Sequence, residues 1–286
     1  MGTSKGFGGP SNGLVPSWAD DPAAGAAPAG QGGGGGAGGG DGDGAPPSAA
    51  PPVAPNGDAA PAGPLTQART RFTRFAKTGS SSELGGALRR HVASTGGATG
   101  AARRMGASRT TGGALLGIVR DAQRFGVIEA LRSRGFEQLV GQPAEAVYLG
   151  LIDSVCLPGG PIDEAISRQA LLDAIQDQTD AGVVDFDDLS PDQLKEFFLD
   201  YVIRSIEGKV LSDIAAKSIR IPDSVQDAVE LEVQLKDFIA GATRSHLGQL
   251  LSGPIASLSD PQINDLVMHI YEAAYSLVAR AGEAAE

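Results

Sequence analysis

Ser190-Pro-Asp-Gln-Leu-Lys-Glu-Phe-Phe-Leu-Asp-Tyr-Val202 is the stretch whose reading decides the fold class. Ser190 can cap a helix with its hydroxyl. Pro191 suits the first helical position, where a missing N–H costs nothing. Gln193 lies three residues after Ser190 and completes a capping box. Leu194, Phe197, Phe198, Tyr201 and Val202 follow at i, i+3, i+4, i+7 and i+8, which is one face of an α-helix.

The same reading works outward in both directions. Asp223 opens a long helix with Leu231, Leu235, Phe238, Ile239 and Ala242 in register, and Asp260-Pro261 opens a last one with Ile263, Leu266, Val267 and Ile270. Upstream, Pro161 starts a helix that fades near Gln178, and Pro143 to Leu157 forms another, stopped by Pro158-Gly159-Gly160. Val183-Val184 is the one short strand candidate. Ala114 to Arg134 reads as helix with a weak point at Gly126. Leu65 to Lys77 places Phe72, Phe75 and Ala76 on one face, and Ser82-Glu83-Leu84 starts a helix through Arg89, Arg90 and His91. Between them, Ser94 to Gly113 is rich in Gly, Thr and Arg and reads as a loop or a broken helix. There is no repeat of fixed period. The expected fold is all-α, a multi-helix domain preceded by a long disordered N-terminal tail rich in Gly, Pro and Ala.

The tail follows from composition. Residues 1–64 hold 19 of the 41 glycines and 11 of the 18 prolines. They carry too little apolar surface to offset the entropy of ordering the chain. The expected organisation is a recognition or substrate peptide at 1–18, a disordered linker at 19–64, a basic and partly helical segment at 65–134, and an acidic helical domain at 135–286. Charge is segregated along these lines, with a net −4 over 1–64, +10 over 65–134 and −17 over 135–286. A basic block beside an acidic domain can bind nucleic acid, an acidic partner or its own neighbour.

Most catalytic chemistry is missing. His91, His246 and His269 have no zinc-ligand spacing, and His246 and His269 read as hydrogen-bonded histidines at a core edge. Cys156, the one cysteine, reads as a small core residue. Gly2 to Gly9 is neither a phosphate loop nor a dinucleotide fingerprint. Asp185-Phe-Asp187-Asp188 reads as a solvated turn, because Ser190 stands where a calcium loop needs Gly. No catalytic triad is visible. No enzyme activity, cofactor or metal is expected. No apolar run reaches the ~18 residues of a membrane span. No signal-peptide core follows Met1, and Gly6 stands where N-myristoylation wants Ser or Thr. The expected location is cytoplasmic.

Two stretches carry a resemblance. One is Met1-Gly-Thr-Ser4 with Gly8-Gly-Pro10 and Leu14-Val-Pro-Ser-Trp18. The other is Ser94-Thr-Gly-Gly-Ala-Thr-Gly-Ala-Ala-Arg-Arg-Met-Gly-Ala-Ser-Arg109, followed by Gly112-Gly-Ala-Leu115. Both resemble the B-component family of the bacterial Qat anti-phage defence system. The resemblance implies a four-part operon with an ATPase, a TatD-like nuclease and a QueC-like protein, QatC. It also implies chemistry in which a 7-deazaguanine carboxylate is activated as an acyl-adenylate and attacked by the N-terminal glycine of a partner protein.

The residues of the tail fit that acceptor role. With Met1 removed, Gly2 presents a primary α-amine without a Cβ to hinder it. Such an amine is about one-third neutral near pH 7.5, whereas a Lys is about a thousandth neutral. Thr3 and Ser4 keep the peptide slim. Phe7, Gly8, Gly9, Pro10 and Trp18 complete the expected recognition segment, with the two aromatics as anchors. As a coil, a linker of this length spans on the order of 40–45 Å. Two readings from other classes stand beside this one. The first is a nucleic-acid-binding adaptor that uses Arg89, Arg90, Arg103, Arg104 and Arg109, residues that could equally contact an acidic partner. The second is a scaffold for the system's ATPase.

Overall fold

The computed structural model describes residues 63–156, 161–182, 185–215 and 224–286. The expected recognition peptide, the disordered linker up to residue 62 and the Val183-Val184 strand candidate lie outside the described residues, whereas Pro64, the last residue of the expected linker, opens the first helix. Within them the chain is helical: α1 (Pro64–Thr78), α2 (Ser81–Ser94), α3 (Gly97–Arg103), α4 (Gly106–Phe125), α5 (Val127–Ser133), α6 (Ala144–Val155), α7 (Pro161–Asp180), α8 (Pro191–Ala215), α9 (Val225–Leu250) and α10 (Asp260–Ala285). Single 3₁₀ turns occur at Glu137–Leu139 and Ile255–Ser257. The described residues contain no strand, only an isolated antiparallel bridge between Pro143 and Asp185. No described helix is long and apolar enough to cross a membrane.

The boundaries follow local chemistry. Ser190 Oγ accepts from the Gln193 N–H at 3.2 Å, and Gln193 Oε1 accepts from the Ser190 N–H at 2.9 Å, so the capping box at the head of α8 is formed. Ser80 and Ser224 cap α2 and α9 in the same way, accepting from Glu83 and Asp227. The Gly/Thr/Arg stretch is a broken helix: α3 stops at Arg103 and α4 restarts at Gly106. Gly126 separates α4 from α5 at φ 85°, ψ 163°, a conformation open essentially to glycine alone.

α8 is enclosed on nearly every side along its middle. The stripe Leu194, Phe197, Phe198, Tyr201 and Val202 is buried, but so are Leu199, Ile203, Ser205, Ile206, Val210 and Ile214. A helix that is apolar on most sides belongs inside a core rather than on its surface. α7, α9, α4 and α1 pack around it. α10 is the second strut and carries α2, α3, α4 and α9. α4 runs between the two, touching both α8 and α10. The basic helices α1 to α5 therefore share one core with the acidic helices, and residues 61–286 form one compact unit.

Small residues permit these contacts. Against α4, a Cβ on Gly112 would sit 3.4 Å from Val267 and 3.6 Å from Phe198, and a Cβ on Gly113 would lie 2.7 Å from Asn264 Oδ1. α2 and α10 meet backbone to backbone: a Cβ on Gly85 would fall 3.1 Å from the Gly282 Cα, and one on Gly282 would collide with the Gly85 carbonyl oxygen.

A buried hydroxyl network ties the same helices. Tyr201 Oη donates to the Ser108 carbonyl at 3.0 Å, and Tyr271 Oη lies 3.5 Å from that oxygen. Ser167 Oγ pairs with Tyr201 Oη at 2.8 Å and with Thr111 Oγ1 at 2.9 Å, and Ser205 Oγ pairs with Tyr271 Oη at 2.8 Å. Burial of these groups is tolerated because each hydroxyl has a partner.

The histidine reading needs correction. His246 and His269 are both exposed. The buried histidine is His91, at 1% exposure, whose Nε2 donates to Asp213 Oδ2 at 3.0 Å. Leu84, Leu88, His91 and Val92 share one face of α2, so the α2 stripe carries His91 into the core against α8. Cys156 is buried, as expected of a small core residue.

Two predictions come from this packing. Gly282→Ala should destabilise the protein by about 1–3 kcal/mol in urea unfolding, because the backbone of α2 cannot give way to a methyl. Gly241→Ala on α9, where a Cβ meets nothing within 4 Å, should be neutral or stabilising. The second concerns Glu207 on α8. Burial pushes its carboxyl up to about 7, against the pull of Arg204 and with a further push from Glu232 and Asp173. The unfolded chain ionises at about 4.5. As pH rises from about 4.5 to 7 the unfolded state therefore releases a proton that the folded state keeps, and stability is lost across that window. Glu207→Gln should lack this loss. Its stability relative to the wild type should rise by on the order of 2 kcal/mol between pH 5 and pH 8, and an unchanged difference would contradict the assignment.

Candidate functional site: the arginine face of the N-terminal helices

The basic block folds as α1 to α5, and the helical period distributes its arginines among different neighbours. Arg69 faces α8: its Nη2 donates to the Asp213 carbonyl at 2.8 Å and its Nε to the Ile214 carbonyl at 3.2 Å. These carbonyls lie in the last turn of α8, where backbone oxygens lack intrahelical partners. Arg120 and Arg134 enclose Asp121. Arg120 Nε donates to Oδ1 at 2.8 Å and Arg134 Nη2 to Oδ2 at 2.6 Å, while Arg120 Nη1 reaches Asp260 Oδ1 at 2.5 Å. Burial alone would raise the Asp121 carboxyl, but the two guanidiniums outweigh it and hold the group below its usual range.

The five arginines expected to contact a partner fall into three situations. Arg89 and Arg90, on α2, both hold the Glu286 carboxylate at the end of α10. Arg89 Nη2 is 2.6 Å from Oε2 and Arg90 Nη1 is 2.7 Å from Oε1. Arg71, on α1, joins them at 2.9 Å from Oε1. Arg90 Nε also donates to Gln67 Oε1 at 3.0 Å. Arg109, on α4, is half-buried along α10: its Nη1 approaches Met268 Sδ at 3.1 Å, and its buried Nε has no hydrogen-bond partner. Arg103 and Arg104, at the break between α3 and α4, are exposed and make no ion pair among the described residues. The structure thus brings Arg89 and Arg90 together, anchors Arg109 on the core, and leaves Arg103 and Arg104 facing solvent.

Gly2, Thr3, Ser4, Phe7, Gly8, Gly9, Pro10 and Trp18 lie outside the described residues. The described chain reaches them through Gly63, immediately before α1.

Two groupings escaped the linear reading. The first is His91 with Asp213, to which Lys209 adds a contact at 3.4 Å. Burial works to raise the Asp213 carboxyl, but the His91 hydrogen bond and the Lys209 charge hold it low. His91 Nδ1 is buried and has no hydrogen-bond partner. The signal was present in the α2 stripe, where His91 falls seven residues after Leu84. The second grouping spans α7, α8 and α9: Arg204 grips Asp177 at 3.0 Å and Lys236 reaches the same carboxylate at 2.9 Å, beside Glu207. No sequence pattern joins residues so far apart in the chain. Among the described residues, no group of His, Cys, Asp and Glu could hold a metal ion. Burial pushes the Cys156 thiol up, away from the reactive thiolate.

A comparison with protein families matches residues 96–278 to the family described as QatB, Qat anti-phage system associated protein. No curated protein and no solved structure matches the chain.

The arginine geometry separates the signature residues by role. Arg103→Ala with Arg104→Ala should change unfolding free energy by less than about 0.5 kcal/mol, as expected of surface positions. Arg109→Ala should cost more, about 1 kcal/mol, because its stem packs on α10. Equal effects in urea unfolding would contradict this division.

Proposed function

Because the chain belongs to the QatB family and is therefore a component of the Qat anti-phage system, we propose that Gly2 is the acceptor for a 7-deazaguanine-derived acyl group delivered by the QueC-like partner QatC. The observation that carries the reading is the opening Met1-Gly-Thr-Ser4: an unhindered glycine at position 2, followed by two small residues. Loss of Met1 exposes a primary amine whose ordinary pKa of about 7.7–8.0 leaves a useful neutral fraction near neutral pH. The neutral amine attacks the activated carbonyl, an amide bond forms, the adenylate leaves and the amine proton passes to solvent or to a base of the partner enzyme. Phe7 and Trp18 anchor the peptide, while Thr3, Ser4, Gly8, Gly9 and Pro10 let it thread a narrow site.

The division of labour within the chain agrees with this reading. Residues 61–286 form a compact helical unit. Such a unit can stay docked on another component, the ATPase or the TatD-like nuclease, while the tail reaches QatC. Tethering raises the effective concentration of the tail at a neighbouring active site.

An adaptor role in nucleic-acid binding draws less support. Of the five arginines in question, Arg89 and Arg90 share the Glu286 carboxylate with Arg71, and Arg109 is held against Met268. Arg103 and Arg104 alone would give a weak salt dependence, a slope of about −2 on log–log axes.

Intact-mass and tandem-mass analysis of the chain co-expressed with its operon neighbours tests the proposal. The acyl group is expected on Gly2. Gly2→Pro, which makes the amine secondary, and an extension ahead of Gly2 should both abolish it, whereas Lys5→Arg should not. An unmodified Gly2 beside an active partner, or modification of Lys5, would refute the reading.

A further inference from the structure

We infer that Arg71, Arg89 and Arg90 form a phosphate-monoester binding site that the Glu286 carboxylate fills in this structure. The cluster is overcharged for its occupant. Three guanidiniums from two helices converge on one side-chain carboxylate: Arg71 and Arg90 share Oε1, and Arg89 takes Oε2. The nearest other acid, Glu83, stands 3.7 Å from Arg71 and is shared at 3.7 Å with Arg74. A dianion with three terminal oxygens matches three guanidiniums better than a carboxylate with two.

The site has a built floor. Gly86 of α2 lies directly beneath it, and a Cβ there would press into the Arg71 guanidinium and sit 2.8 Å from Glu286 Oε1. The cradle therefore exists because position 86 has no side chain. It is also reachable, since the three arginine side chains keep 26%, 38% and 22% of their surface exposed.

Glu286 is a displaceable occupant. It follows Ala285 of α10, and the last turn of that helix as described offers it no basic residue. What holds it is the arginine cluster itself, the Arg90 hydrogen bond first and the charges of Arg90, Arg71 and Arg89 after it, which together keep the carboxyl below its usual range. A phosphate monoester entering the cradle would take over the three guanidiniums and release the Glu286 side chain. The inference stands apart from the Gly2 reading, and neither depends on the other.

The test is a set of ligand titrations on the full chain, followed by thermal melting at constant ionic strength balanced with chloride. The probes are inorganic phosphate, a nucleoside 5′-monophosphate and a phosphoserine peptide. Glu286→Gln removes the competing charge and should lower the half-saturating concentration of at least one probe by tenfold or more. Adding Gly86→Ala to Glu286→Gln should abolish that gain, since the methyl fills the cradle while every arginine remains. Its clash is with flexible side-chain ends, so the double variant should keep its helical circular dichroism. The tightest probe identifies the source: the nucleotide for a small-molecule ligand, the peptide for a phosphorylated protein. If Glu286→Gln gains nothing for any probe, or if the gain survives Gly86→Ala, the inference is wrong.

Discussion

Helices α4, α7, α8 and α10 are fixed to one another at the carbonyl oxygen of Ser108. Tyr201 from α8 donates to it, Tyr271 from α10 approaches it, and Ser167 from α7 joins through Tyr201 and Thr111. A tyrosine hydroxyl in a dry core must find a partner or cost a large part of the domain's margin of stability. The close approaches at Gly112 and Gly113 fix how near α4 lies to α8 and α10, and the hydroxyl bonds add a directional constraint to that packing. Burial pushes both tyrosines well above their ordinary range, so they act as neutral donors at any physiological pH.

That packing explains the Gly/Thr/Arg stretch. Gly112 faces Val267, Phe198 and Tyr201, so a side chain there would press on the tyrosine that makes the central bond. Gly113 admits Asn264, and Gly117 admits the Arg134 guanidinium on its way to Asp121. Much of the Gly/Thr/Arg stretch is thus a packing device that lets α4 lie close to its neighbours. Its exposed remainder, Arg103 and Arg104, lies at the break between α3 and α4, where packing asks for no particular side chain.

Electrostatics organises the outer layer. The strongly basic 65–134 block and the acidic 135–286 region attract across the helix interfaces through Arg120–Asp260 and the cluster on Glu286, and His91–Asp213 and Thr99–Glu272 add hydrogen bonds. Pairs that are partly buried resist screening better than exposed ones. Among the described residues, Asp260 and Glu286 are the acids of the 135–286 region that pair with the block's arginines, and most of the block's net +10 stays unpaired.

The sequence by itself determined that the folded part is helical and where most of its helices start. Caps, proline positions and the 3.6-residue period act over four or five neighbours, and Ser190, Pro161, Pro261 and Gly126 each did locally what their chemistry requires, whereas α9 is capped by Ser224 and the expected opener, Asp223, lies outside the described residues. It determined that Cys156 would be buried, and it marked Gly2 by the smallness of the residues that follow. It ran a helix through His91 without revealing that this histidine is buried or that Asp213 receives it. Only the tertiary structure decided that α8 is enclosed on nearly every side, that His246 and His269 face solvent, and that five similar arginines have three different situations. Those outcomes depend on partners 48 to 197 residues away, such as Arg244 with Glu196 and Arg89 with Glu286. A linear pattern carries no information about such pairs, because it is the packing of helix against helix, not the period along any one of them, that sets which side chains meet.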